Sequence, residues 1–402
     1  MLMIVIKTSD FCNIFFFIVL KTILFLFLVF FKDNNKMYTD TFFPNLSIDL
    51  LNELLKNVMG HNINISILNK IGEGGFGEVF TGIYNEQVIV LKIIHLKKTN
   101  DNNYRIKKNK IQEEINIHRN LNHPNIIRSF NNTSFSYENY EYFVIFMYKA
   151  INRDLSTFCK FMKKNIFKIT NNTENFKFIY YNSEVSILFI IIQLIKGIFC
   201  IHEHNIIHSD LKPQNILIFN NFNFKITDFS ISTSISKFKN TLLHIGTIKY
   251  SSLECFNGIT LSCNASKIDF YSLGIILLEL ILKKSLNFKK EDYMSLEIQK
   301  EQLLKNVTDC LGEVNQLNNL LGNYYSEELI KFMKGLLNPD PNKRLGYKEI
   351  SNSKWIYNNY KVMTNIWIIN VYENGLKLFI ELQKNIKAVK IKNNYRRKFF
   401  IN

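Results

Sequence analysis

Proline, glycine and cysteine are all scarce in this sequence. The 402 residues include 5 prolines, 15 glycines and 6 cysteines. The cysteines form neither paired CxxC motifs nor a disulfide-like cluster, which argues against structural zinc and indicates a reducing compartment. Hydrophobic residues nevertheless make up 47% of the chain, which excludes a disordered protein and can supply a substantial core.

The charge is strongly one-sided, with a formal net charge of +16. Such a charge fits partners such as nucleic acid, an anionic membrane or an acidic protein. The lysines are spread along the chain, however, and their abundance beside asparagine, isoleucine and phenylalanine is typical of an AT-rich coding sequence. Compositional bias is the favoured explanation, and no nucleic-acid partner is expected.

One long hydrophobic run lies within residues 1–36. Residues 11–31 contain 18 apolar residues in 21, enough to span a bilayer core although Lys21 lies at the middle. Two interpretations are open: a signal anchor that attaches a cytoplasmic domain to a membrane, or a mis-assigned start with the true one at Met37. Residues 37–64 contain the amphipathic pattern SIDLLNELLKNVMG, which predicts a linker or docking helix.

From Ile65 the pattern changes to short β-like runs joined by turns. The first turn, IGEGGFGEV, places Gly72, Gly74 and Gly77 in a G-x-G-x-x-G pattern. Glycines let a backbone close over phosphates and point its N–H groups at them. Lys92 ends the strand IVLK, where its ammonium can reach the α- and β-phosphates of a nucleotide. A glycine turn between two strands argues against a dinucleotide fold, in which it precedes a helix.

The segment IIHSDLKPQNILI contains the most specific pattern of the chain. Together with the glycine turn and the lysine strand, it resembles the protein kinase family, whose catalytic loop runs H-R-D-L-K-x-x-N. By this resemblance Asp210 accepts or orients the proton of the substrate hydroxyl, Lys212 neutralises the γ-phosphate and Asn215 binds one Mg²⁺. Asp228, in FKITDFS, would hold the Mg²⁺ that bridges the phosphates.

The resemblance implies an α+β, bilobal protein kinase fold over residues 65–360. A small antiparallel β N-lobe with an αC helix would span residues 65–147. A larger, mainly helical C-lobe would span residues 148–360, with a surface insertion at about 160–182.

The nucleotide site implied by the resemblance draws on both lobes. Glu114, in the predicted αC helix, would hold Lys92, with Glu113 as the fallback. Phe146 would be the gatekeeper behind the adenine, just before the hinge. His118 is expected to be a core histidine without a catalytic role. The predicted ATP-binding residues are Ile71, Gly72, Gly74, Gly77, Val79, Val90, Lys92, Glu114, Phe146, Met147, Tyr148 and Leu217.

The segment HIGTIKYSSLE resembles the end of a kinase activation segment. Thr247 would lie beside Asp210 and Lys212, which favours Ser/Thr over Tyr specificity. Five residues are predicted to support the site structurally: His208, Phe229, Glu254, Asp269 and Arg344. Among them, Glu254 would pair with Arg344, and Asp269 would bond the backbone of the catalytic loop.

Three departures from the family pattern concern regulation. Ser209 replaces the arginine that pairs with a phosphorylated activation loop, so switching by loop phosphorylation is in doubt. Ser230 replaces the glycine after Asp228-Phe229, which restricts flipping of this loop. Ser252-Leu253 replaces Ala-Pro before Glu254 and loses the rigid proline.

None of these departures removes a chemical group. The first hypothesis is therefore an active Ser/Thr protein kinase that uses ATP and Mg²⁺, or Mn²⁺, on protein hydroxyls. The alternative is a pseudokinase scaffold that binds nucleotide without turnover. Residues 361–402 form a basic tail, for which a packed or solvated helix is favoured over a calmodulin-type target.

Overall fold

The structure is a computed structural model of the chain. It describes residues 46–60, 63–74, 77–150, 154–160, 184–219, 223–235, 246–256, 265–286, 295–320 and 325–364. The chain divides into two compact units. One comprises Lys36–Lys160 and Phe189–Trp355, and the other comprises Met1–Asn35, Phe161–Leu188 and Ile356–Asn402.

A five-stranded antiparallel sheet forms the first half of the larger unit. Its strands are β1 (Ile65–Gly74), β2 (Gly77–Tyr84), β3 (Gln87–Lys97), β4 (Ser129–Tyr137) and β5 (Tyr140–Tyr148), in the order β1-β2-β3-β5-β4. β2 turns into β3 through Asn85 and Glu86, whose φ angles are 46° and 67°. Positive φ at both central residues is typical of the two-residue hairpin turn that matches strand twist.

A helix lies against each face of this sheet. Helix α1 (Ile48–Met59) begins at Ser47, whose hydroxyl accepts from the Leu50 N–H, and ends at Gly60 with a φ of 94°. Its Leu51 and Leu55 are buried in one hydrophobic cluster with residues of β1 to β5. The predicted linker or docking helix therefore packs on the sheet that follows it.

Helix α2 (Asn102–Asn120) packs on the other face. It begins at Asp101, whose carboxylate accepts from the Tyr104 N–H. Its Ile111 and Ile115 join a second cluster that contains Phe143, Ile145 and Met147 of β5. Both faces of the central strands β3 and β5 are thus covered, so these two strands read as apolar runs rather than as a strict alternation.

The second half of the unit is mainly helical. Its helices are α3 (Glu184–Glu203), α4 (Lys267–Leu282), α5 (Leu296–Leu320), α6 (Glu327–Leu336), α7 (Tyr347–Ser351) and α8 (Lys354–Thr364), and α3 and α8 extend into the other unit. Two short antiparallel pairs join β6 (Ile206–Ile207) to β9 (Thr233–Ser234) and β7 (Ile216–Ile218) to β8 (Phe224–Ile226). The predicted α+β fold class is confirmed.

Within the described ranges, no helix combines the length and the apolar character needed to cross a bilayer. The segment at residues 11–31, for which a signal anchor is predicted, lies outside the described residues. Most of the predicted insertion and residues 365–402 of the predicted basic tail lie outside them as well.

Candidate active site

Lys92 of β3 makes two ion pairs. Its Nζ lies 2.6 Å from Oε1 of Glu114 in α2 and 2.8 Å from Oδ1 of Asp228, which follows β8. Although burial opposes its charge, the two carboxylates raise the pKa of Lys92 above its usual value. Burial likewise acts to raise the pKa of Asp228, but the Lys92 ammonium prevails and lowers it to about 2. The lysine therefore stays charged and available to phosphate oxygens.

The register of the sheet determines the face to which Phe146 points. β3 and β5 pair Lys92 with Ile145 and Leu91 with Phe146. Residues directly opposite each other point to the same face of a sheet, so Ile145 shares the face of Lys92. Phe146 points to the other face, where it is fully buried among residues such as Phe80. Phe146 therefore faces away from Lys92, whereas its neighbours Ile145 and Met147 lie on the Lys92 face, because a shift of one position along a strand exchanges its faces.

Several predicted ATP-binding residues share the face of Lys92. Val79 pairs with Lys92 across β2 and β3, and Val90 pairs with Met147 across β3 and β5. Val90 and Leu217 pack against the hydrophobic cluster that contains Met147.

The glycines of the predicted turn lie at strand ends, and two further predicted ATP-binding residues, Ile71 and Tyr148, are exposed. Gly72 and Gly74 end β1, while Gly77 begins β2 with a φ of 145°. A Cβ at Gly77 would lie 2.7 Å from the Ile93 carbonyl oxygen, so the close approach of the two strands requires glycine. The side chains of Ile71 and Tyr148 are exposed.

The Asp210 carboxylate collects four hydrogen bonds from three residues. Its Oδ1 accepts from the Thr247 N–H at 2.9 Å and from the Thr247 hydroxyl at 2.8 Å. Its Oδ2 accepts from Lys212 Nζ at 2.6 Å and from Asn215 Nδ2 at 3.1 Å. Lys212 also donates to the Thr247 hydroxyl at 2.9 Å. The four predicted catalytic residues are thus brought into one network.

Gly246 allows Thr247 to approach Asp210 closely. It has a φ of 91°, and a Cβ built there would lie 2.3 Å from the Ser209 carbonyl oxygen. A side chain at this position would push Thr247 away from Asp210.

Asn215 and Asp228 offer a donor set that suits a hard divalent cation. Asn215 ends a 3₁₀ turn (Pro213–Asn215), and its Nδ2 donates to the Asp210 side chain and backbone, which orients the amide oxygen elsewhere. The Asn215 carbonyl accepts from the Thr227 N–H at 2.9 Å, which keeps Asp228 nearby. Amide and carboxylate oxygens are ligands that Mg²⁺ or Mn²⁺ accepts. The residues therefore fit the predicted metal.

Asp269 supports the catalytic loop from α4. Its Oδ1 accepts from the Ser209 N–H and its Oδ2 from the His208 N–H, both at 2.9 Å. His202 Nε2 donates to the same Oδ2 at 2.7 Å. Burial opposes ionisation, but these donors lower the pKa of Asp269 below its usual value. A fully buried carboxylate thus holds two successive backbone groups in place.

Phe229 lies between two histidine rings. His118 of α2 meets it edge-on at a centroid distance of 5.1 Å, and His208 lies at the same distance. His208 accepts the Asp210 N–H at Nδ1 and donates from Nε2 to the Thr227 carbonyl. These contacts connect the helix that carries Glu114 to the loops that carry Asp210 and Asp228.

A buried ion pair lies below the segment that follows Thr247. Arg344 Nη2 donates to Glu254 Oε2 at 2.8 Å, and its Nη1 contacts the other carboxylate oxygen. Arg344 is 1% exposed and Glu254 7% exposed. Such a bidentate pair fixes the segment geometrically.

Two residues of the site were missed or misread in the sequence. Phe146 faces away from Lys92, and only strand pairing shows that Ile145 and Met147 lie on the Lys92 face instead. The Ser230 side chain hydrogen-bonds to Asp228 and helps to lower its pKa. No sequence pattern indicates that contact, because serine after Asp228-Phe229 departs from the family motif.

Comparison with known protein families matches residues 65–356 to the family described as "Protein kinase domain". The chain is 28% identical over 292 residues to developmentally-regulated protein kinase 1 of Dictyostelium discoideum, covering 72% of this chain and 36% of the relative. It is 26% identical over 301 residues to serine/threonine-protein kinase 36 of Mus musculus, covering 74% of this chain and 20% of the relative. An Aurora kinase of Eremothecium gossypii is 25% identical over 289 residues, covering 72% of this chain and 68% of the relative.

The chain belongs to the protein kinase family, and it is of the eukaryotic type. It spans well under half of the length of the first two relatives, and the relatives carry different kinase names that single out no subfamily for this chain.

Proposed function

We propose that this chain is an ATP-dependent Ser/Thr protein kinase that transfers the γ-phosphate of ATP to hydroxyl groups of protein substrates. The observation that carries the proposal is the network in which Thr247, Lys212 and Asn215 all donate to the Asp210 carboxylate. Membership of the protein kinase family supports it, as does similarity to a relative named serine/threonine-protein kinase.

In the proposed reaction, the substrate hydroxyl oxygen attacks the γ-phosphorus, and the bond from that phosphorus to ADP breaks. Asp210 accepts the hydroxyl proton. Lys212 neutralises charge that develops on the γ-phosphate, while Lys92 holds the α- and β-phosphates. The contact of Lys212 with Thr247 favours serine or threonine over tyrosine as the acceptor.

Asn215 and Asp228 are the residues that would hold the metal. Mg²⁺ or Mn²⁺ supplies charge neutralisation at the phosphate oxygens when bound. Ser230 would keep the Asp228 carboxylate oriented, and the low pKa of Asp228 keeps it ionised at neutral pH.

Two finer predictions remain beside this reaction. The segment at residues 11–31 would either anchor the kinase domain to a membrane, with the domain on the cytoplasmic side where ATP is available, or be left out of a protein that starts at Met37. The basic tail at residues 361–402 would be a packed or solvated helix, or less favourably a target for a calmodulin-like protein.

The decisive experiment is phosphotransfer from labelled Mg-ATP to a generic basic protein, run with the wild type beside Asp210→Asn. We expect the substitution to reduce labelling at least about 100-fold, because it removes the proton acceptor. Asp210→Asn should still show a nucleotide-dependent rise in Tm, which demonstrates that it is folded. Equal, background-level labelling of both proteins would instead identify a scaffold that binds nucleotide without turnover.

A further inference from the structure

A polar pocket lies where the end of α2 meets the start of β4. Its volume is about 560 Å³. Two arginines, Arg119 and Arg128, contribute to its lining, together with the asparagines Asn120, Asn131 and Asn132. None of these residues belongs to the active site, so the pocket is a separate feature of the molecule.

The pocket is strongly suited to an anion. Both arginines are exposed, and in the described part of the chain no hydrogen bond or ion pair engages either guanidinium. No aspartate or glutamate is found among the described residues that line the pocket. The three asparagine amides add neutral hydrogen-bond donors, so the described lining combines two cationic groups with amide donors and contains no carboxylate.

The backbone that carries the two arginines is held firmly. Arg119 lies in the last turn of α2, directly after the buried His118. Arg128 follows Ile127, which is 3% exposed and whose N–H donates to the Ile226 carbonyl at 2.8 Å. Leu121, between them, is fully buried and donates to the Ile117 carbonyl. A ligand would therefore have to order the arginine side chains but not the chain itself.

We propose that this pocket binds a phosphoryl dianion through Arg119 and Arg128. A phosphate monoester carries about −1.5 to −2 charges near neutral pH, which matches two guanidinium groups, whereas each phosphodiester of a nucleic acid carries a single charge. Guanidinium is a planar fork that bonds phosphate oxygens bidentately, so two arginines can hold two sides of one phosphoryl group. A phosphoserine in a protein segment and free inorganic phosphate share this chemistry.

Arg119 also has a simpler role available. A cation in the last turn of a helix interacts favourably with the helix dipole. That role predicts a change in stability when Arg119 is replaced and no change in phosphate binding. The helix-dipole role does not account for Arg128, which lies outside the helix.

The test is calorimetric titration at low ionic strength with three probes: a neutral peptide with one phosphoserine, the same peptide unphosphorylated, and inorganic phosphate. We expect the phosphopeptide to bind at least about tenfold more tightly than its unphosphorylated form. Arg119→Ala and Arg128→Ala should each weaken its binding about tenfold, because each removes a charge-assisted pair. Arg119→Lys and Arg128→Lys, which keep the charge but lose the fork, should give intermediate losses.

Arg105→Ala is the matched control, since Arg105 is an exposed arginine of the same helix about 21 Å along its axis from Arg119. It should change phosphopeptide affinity less than about twofold. In a second outcome, inorganic phosphate binds as tightly as the phosphopeptide and depends equally on Arg119 and Arg128. That result would support the site and identify free phosphate as its ligand.

Three results would overturn the proposal. One is equal affinity for the phosphorylated and unphosphorylated peptides. Another is a loss caused by Lys92→Met but not by the two arginine variants, which would place the binding in the active site. The third is a single-stranded oligonucleotide that displaces the phosphopeptide more effectively than phosphate does. Unchanged Tm values of the variants separate all three from misfolding.

Discussion

Ser209, in the catalytic loop, has a strained backbone conformation. It has a φ of 68°, which is unfavourable for a residue with a Cβ. Its hydroxyl is buried and has no hydrogen-bond partner among the described residues. The Asp269 carboxylate holds its N–H, so the backbone conformation is imposed from α4. The positive φ and the unpaired hydroxyl both reduce stability, and the hydrogen bond to Asp269 prevents the backbone from relaxing.

Two substitutions should separate these costs. Ser209→Ala removes only the unpaired hydroxyl and should stabilise the fold by about 1 kcal/mol. Ser209→Gly also removes the strain, which costs about 1–2 kcal/mol, although the gain is reduced by the greater freedom of glycine in the unfolded chain. The free energy of unfolding in urea measures both. A Gly variant less stable than the Ala variant would contradict the assignment of strain.

His118 is a fully buried histidine beside charged groups. Its Nδ1 donates to the Ile127 carbonyl, and its Nε2 lies 3.9 Å from Glu114, with the charges of Lys92 and Asp228 close by. Burial, reinforced by the Lys92 charge, lowers the pKa of His118 from 6.5 to about 4. The imidazole is therefore neutral in the folded protein near pH 7.

This neutrality predicts a pH dependence of stability. As pH falls below 6.5, the unfolded chain binds a proton at His118 while the folded chain does not, so stability decreases until pH 4. The depression of the pKa corresponds to about 3 kcal/mol over this window. His118→Leu should remove that slope in urea unfolding measured between pH 7 and pH 4. His204→Gln, at an exposed histidine, is the control, and an unchanged slope in His118→Leu would contradict the prediction.

At the scale of elements, helix α1 is an addition to the five-stranded sheet. It precedes the segment matched to the kinase family, yet it covers one face of the sheet. Asn52 ties it to β1, accepting from the Ile67 N–H at 2.6 Å and donating to the Ile67 carbonyl at 3.3 Å. Leu55 is fully buried at this contact, whereas Val58 on the same helix is 45% exposed.

Leu55→Ala should therefore destabilise the protein by about 3 kcal/mol, through lost burial and the cavity it leaves. Val58→Ala should cost about 0.5 kcal/mol or less, because the site is exposed. Denaturant unfolding of both variants measures the difference. Equal small effects would show that α1 contributes no core to the folded protein.

At the scale of the whole molecule, the active site depends on three elements that are far apart in the chain. β3, α2 and the loop after β8 bring Lys92, Glu114 and Asp228 into one buried group. Ser209 cannot supply the guanidinium that would pair with a phosphate on the activation segment. The ion pairs of Lys92 with Glu114 and Asp228, and not a pairing at position 209, join these elements.

We accordingly expect phosphatase-treated protein to keep its phosphotransfer activity within about threefold of the untreated protein, because no residue at position 209 can pair with the added charge. Labelling of a generic basic substrate after treatment measures this. A loss of more than about tenfold would mean that loop phosphorylation acts through other residues.

The sequence alone determined the fold class and much of the predicted site. The glycine turn, the catalytic loop and the Asp228 segment are short motifs whose spacing is set by local backbone geometry, so they can be read without tertiary contacts. Asp210, Lys212, Asn215 and Thr247 were assigned to one site because these motifs resemble those of the protein kinase family.

Only the tertiary structure decided which face each strand residue occupies and what the helices touch. Phe146 and Ile145 are neighbours in an apolar run, and their facing depends on pairing with β3. The same holds for the packing of α1 on the sheet and for Arg119 and Arg128, which meet only where α2 ends and β4 begins. Facing and packing arise from contacts between segments far apart in the chain, and local patterns do not encode these contacts.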